Sequence, residues 1–157
     1  MVKSTEFVTP PPAPAPAPST TEHSAATPDA QPLLDATVQA ASAWGPAGAA
    51  VSGPNGVVAS GEQGATAAWS TIKVPIAIAA LRADPAASGD VAAAITASDN
   101  AAAERLYATA GADAVDAVLS ESGLTVPVNT AKTRPEFSTF GQTALTVNDE
   151  AQLADSL

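Results

Sequence analysis

The sequence predicts an α+β fold in which a cluster of short helices packs against a small antiparallel sheet. Three observations lead to that class. Apolar residues recur at helical spacing in several segments between 28 and 157. Only Gly53-Pro54-Asn55-Gly56, set between Gly48-Ala49-Ala50-Val51 and Val57-Val58-Ala59, carries the turn chemistry of a β-hairpin. Finally, 46% of the 157 residues are hydrophobic, much of that alanine, and only six are aromatic. A core of that make-up must come from close helix approach and not from large side chains.

Residues 1–27 are read as a linker. The Pro-Ala tract Pro10 to Pro18 lacks donors and favours extended polyproline geometry, and a Ser/Thr-rich run follows it. Such a segment holds a domain away from a membrane or cell wall. The domain itself is 28–157. Thr27 is expected to cap its first helix with Pro28 at the first helical position, Leu33, Leu34, Val38 and Ala41 on one face, and Gly45-Pro46 at the end.

The hairpin comes next, and Gly61 to Ala68 read as a loop. Its Gly61-Glu62-Gln63-Gly64 is a turn and not a phosphate loop, because no lysine or helix start follows at the required spacing. A helix beginning at Ser70 runs through Ile76, Ile78 and Leu81, with Pro75 in its first turns, where proline is tolerated. Asp84-Pro85 to Gly89 is a turn, and Asp90 is expected to cap a helix through Ile95. Ser98-Asp99-Asn100 makes a corner before a helix through Leu106 and Tyr107 that Gly111 closes, and Ala112 to Leu119 form another.

Gly123 to Gly141 is a 19-residue loop carrying Lys132, Arg134, Pro135 and Glu136, a length that marks loops with a function. Thr146-Val147-Asn148-Asp149-Glu150 starts a last amphipathic helix with Ala151, Leu153, Ala154 and Leu157. Trp44 and Trp69 are expected to pack in the core or on the hairpin, and Arg82, Asp84 and Asp90 to lie on the solvated surface. The last helix ends without a cap and a lone hairpin is marginal, so the domain reads as incomplete.

A formal net charge of −10 with no Lys/Arg cluster excludes nucleic acid and disfavours anionic membranes. No apolar run approaches the length needed to cross a bilayer, and Met1 to Phe7 lack the apolar stretch of a secretory signal. The chain has no cysteine, which excludes disulfides and thiolate metal sites. Its single histidine, His23, lies in the linker, which argues against a histidine triad or metal site.

What remains is a pair of motifs. Ser70 and Lys73 are three residues apart, a spacing that puts both on one helix face, and a desolvated lysine can take the proton of a serine hydroxyl. Ser98-Asp99-Asn100 follows 28 residues after Ser70. Taken singly, each motif is explained by helix capping. Their conjunction is more specific.

The segment Trp69-Ser70-Thr71-Ile72-Lys73-Val74-Pro75, followed by Ala94-Ile95-Thr96-Ala97-Ser98-Asp99-Asn100-Ala101-Ala102-Ala103, resembles the class A β-lactamase and penicillin-binding serine hydrolase family. The resemblance extends over about residues 30–157. It implies a β-lactamase/transpeptidase-like fold of which this chain holds the N-terminal hairpin of the sheet. It also implies acyl transfer on a β-lactam or a peptidoglycan peptide. Ser70 would be the nucleophile, Lys73 its base and Ser98 the proton donor to the leaving nitrogen. Asn100 would bind the substrate amide, Asp99 would brace the corner, and the Ser70 N–H would form half of an oxyanion hole. No cofactor or metal is implied, and a secreted or cell-envelope monomer is expected.

Three departures qualify this. Lys132-Thr133-Arg134 is rejected as the family's Lys-Thr/Ser-Gly strand, because it lies in a loop and comes too early. Arg134-Pro135-Glu136-Phe137-Ser138 stands where members have Glu-Pro-Glu-Leu-Asn, so Arg134 replaces the glutamate that activates the deacylating water, and Glu136 matches only the second, structural glutamate. The interval from Ser70 to Ser98 is also shorter than usual. The expectation is therefore a truncated, weakly active serine hydrolase; the alternatives are a non-catalytic cell-envelope binding module or an inactive gene fragment of that family.

Overall fold

The computed structural model describes residues 29–157, so the linker, His23, Thr27 and Pro28 lie outside the described residues. Among the described residues are six α-helices and two antiparallel two-stranded sheets, an α+β fold. Helix α1 (Ala30–Ala41) is capped by Asp29, two residues after the expected cap; its carboxylate accepts from the Gln31 N–H at 3.1 Å. Its buried stripe is narrower than expected. Leu34 and Val38, one turn apart, are buried, whereas Leu33 is 74% exposed and Ala41 faces solvent.

A 3₁₀ turn, Ser42–Trp44, leads out of α1, and Trp44 is 94% exposed, contrary to the packing role expected of it. The hairpin forms as expected. Strand β1 (Gly48–Gly53) pairs with β2 (Gly56–Gly61) so that Gly53 faces Gly56 across Pro54-Asn55. Gly61 has φ +74°, and a Cβ there would run into the Ala47 carbonyl, so no other residue fits. α1 packs on the hairpin, as does α6 (Val147–Asp155). In α6, Thr146 and Asp149 form a reciprocal capping box and Leu153 is buried, while Ala154 and Leu157 are exposed.

The segment expected to be a loop before Ser70 contains a second, small sheet. Strand β3 (Thr66–Ala67) pairs with β4 (Ala144–Leu145). The pairing continues outward through Ala68 N–H to Thr143 O at 2.8 Å and Trp69 N–H to Gly141 O at 2.9 Å. These bonds clamp the approach to Ser70 onto the far end of the long loop.

The helical cluster centres on α2 (Lys73–Ala83), which packs against α3 (Ser88–Thr96), α4 (Asn100–Ala110) and α5 (Ala112–Glu121). Ile76 is fully buried beside Ala77, Ala79 and Ala80, with Ala102 and Ala103 of α4 in the same cluster. Alanine on the facing helices is what lets the backbones approach. Pro75 is the third residue of α2, where no α-helical partner is lost. Asp90 does not cap α3. The helix starts at Ser88, after a 3₁₀ turn capped by Asp84, and Asp90 instead receives Arg105 of α4 in a bidentate pair at 2.6 and 3.0 Å. Arg82 likewise meets Glu121 at 2.7 Å; both pairs are exposed and add little stability. No described helix is long and apolar enough to cross a membrane.

Candidate active site

Ser70 lies just before α2, in tight turns made by Thr71 N–H to Ala68 O and Lys73 N–H to Ser70 O. Ser98 sits in the corner between α3 and α4, and Asp99 caps α4 through bonds from the Ala101 and Ala102 N–H groups at 2.8 and 3.0 Å. Trp69 (φ +49°) and Ser98 (φ +53°) are the non-glycine residues with left-handed backbone among those described. One precedes Ser70, and the other faces it. Backbone strain of this kind gathers where a side chain must be held in one place.

The side chains meet in a continuous chain. Ser70 Oγ and Ser98 Oγ are 2.8 Å apart, and Lys73 Nζ is 2.9 Å from Ser98 Oγ. Lys73 also donates to Ser98 O at 2.6 Å and to Asn100 Oδ1 at 2.8 Å. The i, i+3 spacing therefore does not produce a direct Ser70–Lys73 hydrogen bond; Ser98 stands between them. The two carbonyl groups can only accept, so each takes one N–H of Lys73, whereas a hydroxyl can donate or accept. A neutral amine fits this site completely, with two N–H groups on the carbonyls and its lone pair on the Ser98 hydroxyl. An ammonium fits by turning that hydroxyl round. A proton can thus leave Ser70 for Ser98 as the Ser98 proton moves to Lys73, along contacts of 2.8 and 2.9 Å and with no movement of heavy atoms.

Burial favours the neutral form. Lys73 is 3% exposed, and loss of solvation pushes its pKa below the ordinary 10.5, with the Asp99 carboxylate pulling partly the other way. In the folded chain Lys73 thus holds its proton less well than in the unfolded chain. Stability should then rise with pH in the window between the lowered pKa and 10.5. Tyr107, whose pKa burial raises, acts in the opposite sense above its ordinary value of 10.0. Lys73→Met should therefore flatten the rise in stability with pH below 10.5, whatever the lost bonds to Ser98 and Asn100 do to the midpoint itself. Thermal melts from pH 7 to 10 would check this, and a slope equal to that of wild type would count against the burial penalty.

Ser70, Lys73 and Asn100 open into a cleft of about 450 Å³. Trp69, Glu104 and the loop residues Lys132, Pro135, Glu136, Phe137, Ser138 and Gly141 complete its lining. Trp69 is 44% exposed and forms a wall of the cleft, not a core residue; the Phe137 ring meets it edge-on at 4.8 Å, and the Arg134 guanidinium lies 6.0 Å from its centroid. The loop has no helix or strand from 124 to 139 but is firmly tied. Gln142 accepts from the Arg134 N–H and Thr133 hydroxyl and donates to Arg134 O and Ser138 O, using its amide in full. Asn129 ties Ala131 O and Thr139 O, each at 2.8 Å.

Ser70, Lys73, Ser98 and Asn100, singled out in the sequence, come together at one end of the cleft, with Asp99 beneath them as the cap of α4. Sequence reasoning gives Glu104 and Gln142 no role, expects Trp69 in the core or on the hairpin, and meets Phe137 only within the Arg134–Ser138 segment. The Glu104 position could have been found from its i+4 spacing to Asn100; Gln142 carries no local signal. Among the described residues no group of acidic or histidine side chains could hold a metal ion. Compared with known proteins, the chain matches no family model, no curated protein and no solved structure.

Proposed function

We propose that this chain is a serine acyl-transfer protein of the β-lactamase/penicillin-binding kind, acting on β-lactams or peptide amides at the cell envelope. The observation that carries this reading is the unbroken chain Ser70 Oγ–Ser98 Oγ–Lys73 Nζ at the end of an open cleft. Ser70 Oγ attacks the carbonyl carbon; its proton moves to Ser98 Oγ as the Ser98 proton moves to Lys73. The carbonyl oxygen becomes an oxyanion, and the Ser70 N–H, which makes no hydrogen bond among the described residues, is oriented to receive it. As the C–N bond breaks, the proton returns from Lys73 through Ser98 to the leaving nitrogen. The product is an ester on Ser70.

Clearing that ester needs an activated water. Arg134 stands at the position of the family's water-activating glutamate and cannot accept a proton. A long-lived adduct is the expected result, closer to penicillin-binding behaviour than to antibiotic turnover. The test is to incubate the full chain with a fluorescent penicillin and separate it under denaturing conditions. Wild type should carry a label that persists over hours, and Ser70→Ala should carry none. An unlabelled wild type, or equal label on both, would refute acyl transfer and leave the reading of a non-covalent binding module.

A further inference from the structure

The charged groups of the cleft are unevenly committed. Of the cations in the described residues, Arg82 and Arg105 are in ion pairs, Arg134 lies by Trp69, and Lys73 is enclosed by Ser98 and Asn100. That leaves Lys132 as the free cation lining the cleft, against two carboxylates, Glu104 and Glu136, that make no hydrogen bond or ion pair among the described residues. With Lys73 turned into the Ser98–Asn100 corner, the side-chain charges left to face a ligand from the lining are Lys132 against Glu104 and Glu136, within a chain of formal charge −10. Of its aromatic wall, Trp69 already has the Arg134 guanidinium 6.0 Å from its centroid, and Phe137 remains as a ring for a cation.

Glu104 differs from Glu136 in its support. It is on α4, four residues after Asn100, so the two share one helix face about 6 Å apart. Glu136 is on the loop. A rigid element holds a charge at a fixed distance from the reacting groups better than a loop does. Asn100 spends its amide oxygen on Lys73 and keeps its NH₂ for a ligand.

We infer that the cleft takes acyl donors bearing an ammonium group and that Glu104 is the counter-charge selecting them, one helical turn from the group held by Asn100. The inference rests on the acyl-transfer reading for its reaction but not for its binding preference. Glu104 is exposed, so the effect is modest: about threefold, the range of a solvated ion pair, and weakened by salt.

The test compares two penicillins with the same skeleton, one carrying a primary ammonium on its side chain and one without it. In the full-length wild type at low salt, the ammonium compound should acylate about threefold faster, the advantage should vanish at 0.5 M salt or in Glu104→Gln, and it should reverse in Glu104→Lys. Noncovalent affinities of both compounds for Ser70→Ala, read by NMR titration, should show the same preference and the same loss in the double variant with Glu104→Gln. Equal rates and affinities in wild type, or a preference that survives Glu104→Gln and disappears in Glu136→Gln, would overturn the inference. Absence of acylation with a retained Glu104-dependent affinity would refute acyl transfer alone.

Discussion

Replacing Ser98 with glycine is expected to leave the chain folded and to slow acylation of Ser70 about 10²- to 10⁴-fold, the range removed with a positioned proton-transfer group. The size of the effect follows from the order of atoms. Ser70 Oγ has the Ser98 hydroxyl as its hydrogen-bond partner at 2.8 Å, and Lys73 reaches Ser70 only through that hydroxyl. In the proposed acyl transfer, removing it would break the path in both directions, toward Lys73 during attack and toward the leaving nitrogen during collapse.

Glycine is the informative replacement because Ser98 has φ +53°, a conformation glycine adopts without strain. The thermal midpoint should stay level or rise slightly, and Lys73 keeps Ser98 O and Asn100 Oδ1 as acceptors. A misfolded protein therefore cannot mimic the result. The pH profile adds a second signature. Wild-type acylation should climb with pH as Lys73 loses its proton, levelling off below the ordinary lysine value of 10.5, and Ser98→Gly should largely lose that dependence. Acylation in Ser98→Gly within threefold of wild type would mean that Ser70 is activated by another route.

Local chemistry was legible in the sequence; non-local pairing was not. Gly53-Pro54-Asn55-Gly56 encodes the hairpin because backbone requirements and sequence coincide within four residues. Thr146 and Asp149 encode their capping box for the same reason. Strands β3 and β4 carry two residues each and lie far apart in the chain, too short for any alternation to register. Without that pairing, Trp69 reads as one more apolar residue before a helix, whereas the bond from its N–H to Gly141 O turns it into a wall of the cleft. Asp90 is a similar case. Its capping propensity is real, but Arg105, fifteen residues on, holds it in a bidentate pair that no local rule anticipates.

The spacing of Ser70 and Lys73 predicts a direct bond between them; the structure brings the two side chains together only through Ser98. Helical periodicity places two residues on one face, yet Ser70 lies outside α2, and Lys73 turns toward the Ser98 corner. The third member, Ser98, could be named from the family resemblance; its position between the other two is a property of how α3 and α4 meet.

Phe140→Ala should destabilise the chain by about 3–5 kcal/mol, a large part of the stability of a domain this size. Phe140 is 1% exposed and packs in the main core, its ring 5.2 Å from that of Tyr107. The alanine-rich helices around it have few long side chains with which to fill the space, so the cavity would persist. Its backbone matters as well: Phe140 O accepts from the Thr143 hydroxyl at 2.7 Å and the Thr143 N–H at 3.0 Å, in the turn that presents Gly141 to Trp69. Core packing and the wall of the cleft therefore fail together. Phe137→Ala separates the two effects. Phe137 is 40% exposed and touches Trp69 at the cleft, so its loss should alter labelling by penicillin while changing stability by less than about 1.5 kcal/mol. Urea unfolding of both variants measures the difference; a Phe140→Ala loss below about 1.5 kcal/mol would show that the loop anchors itself through Gln142 and Asn129 and not through its buried ring.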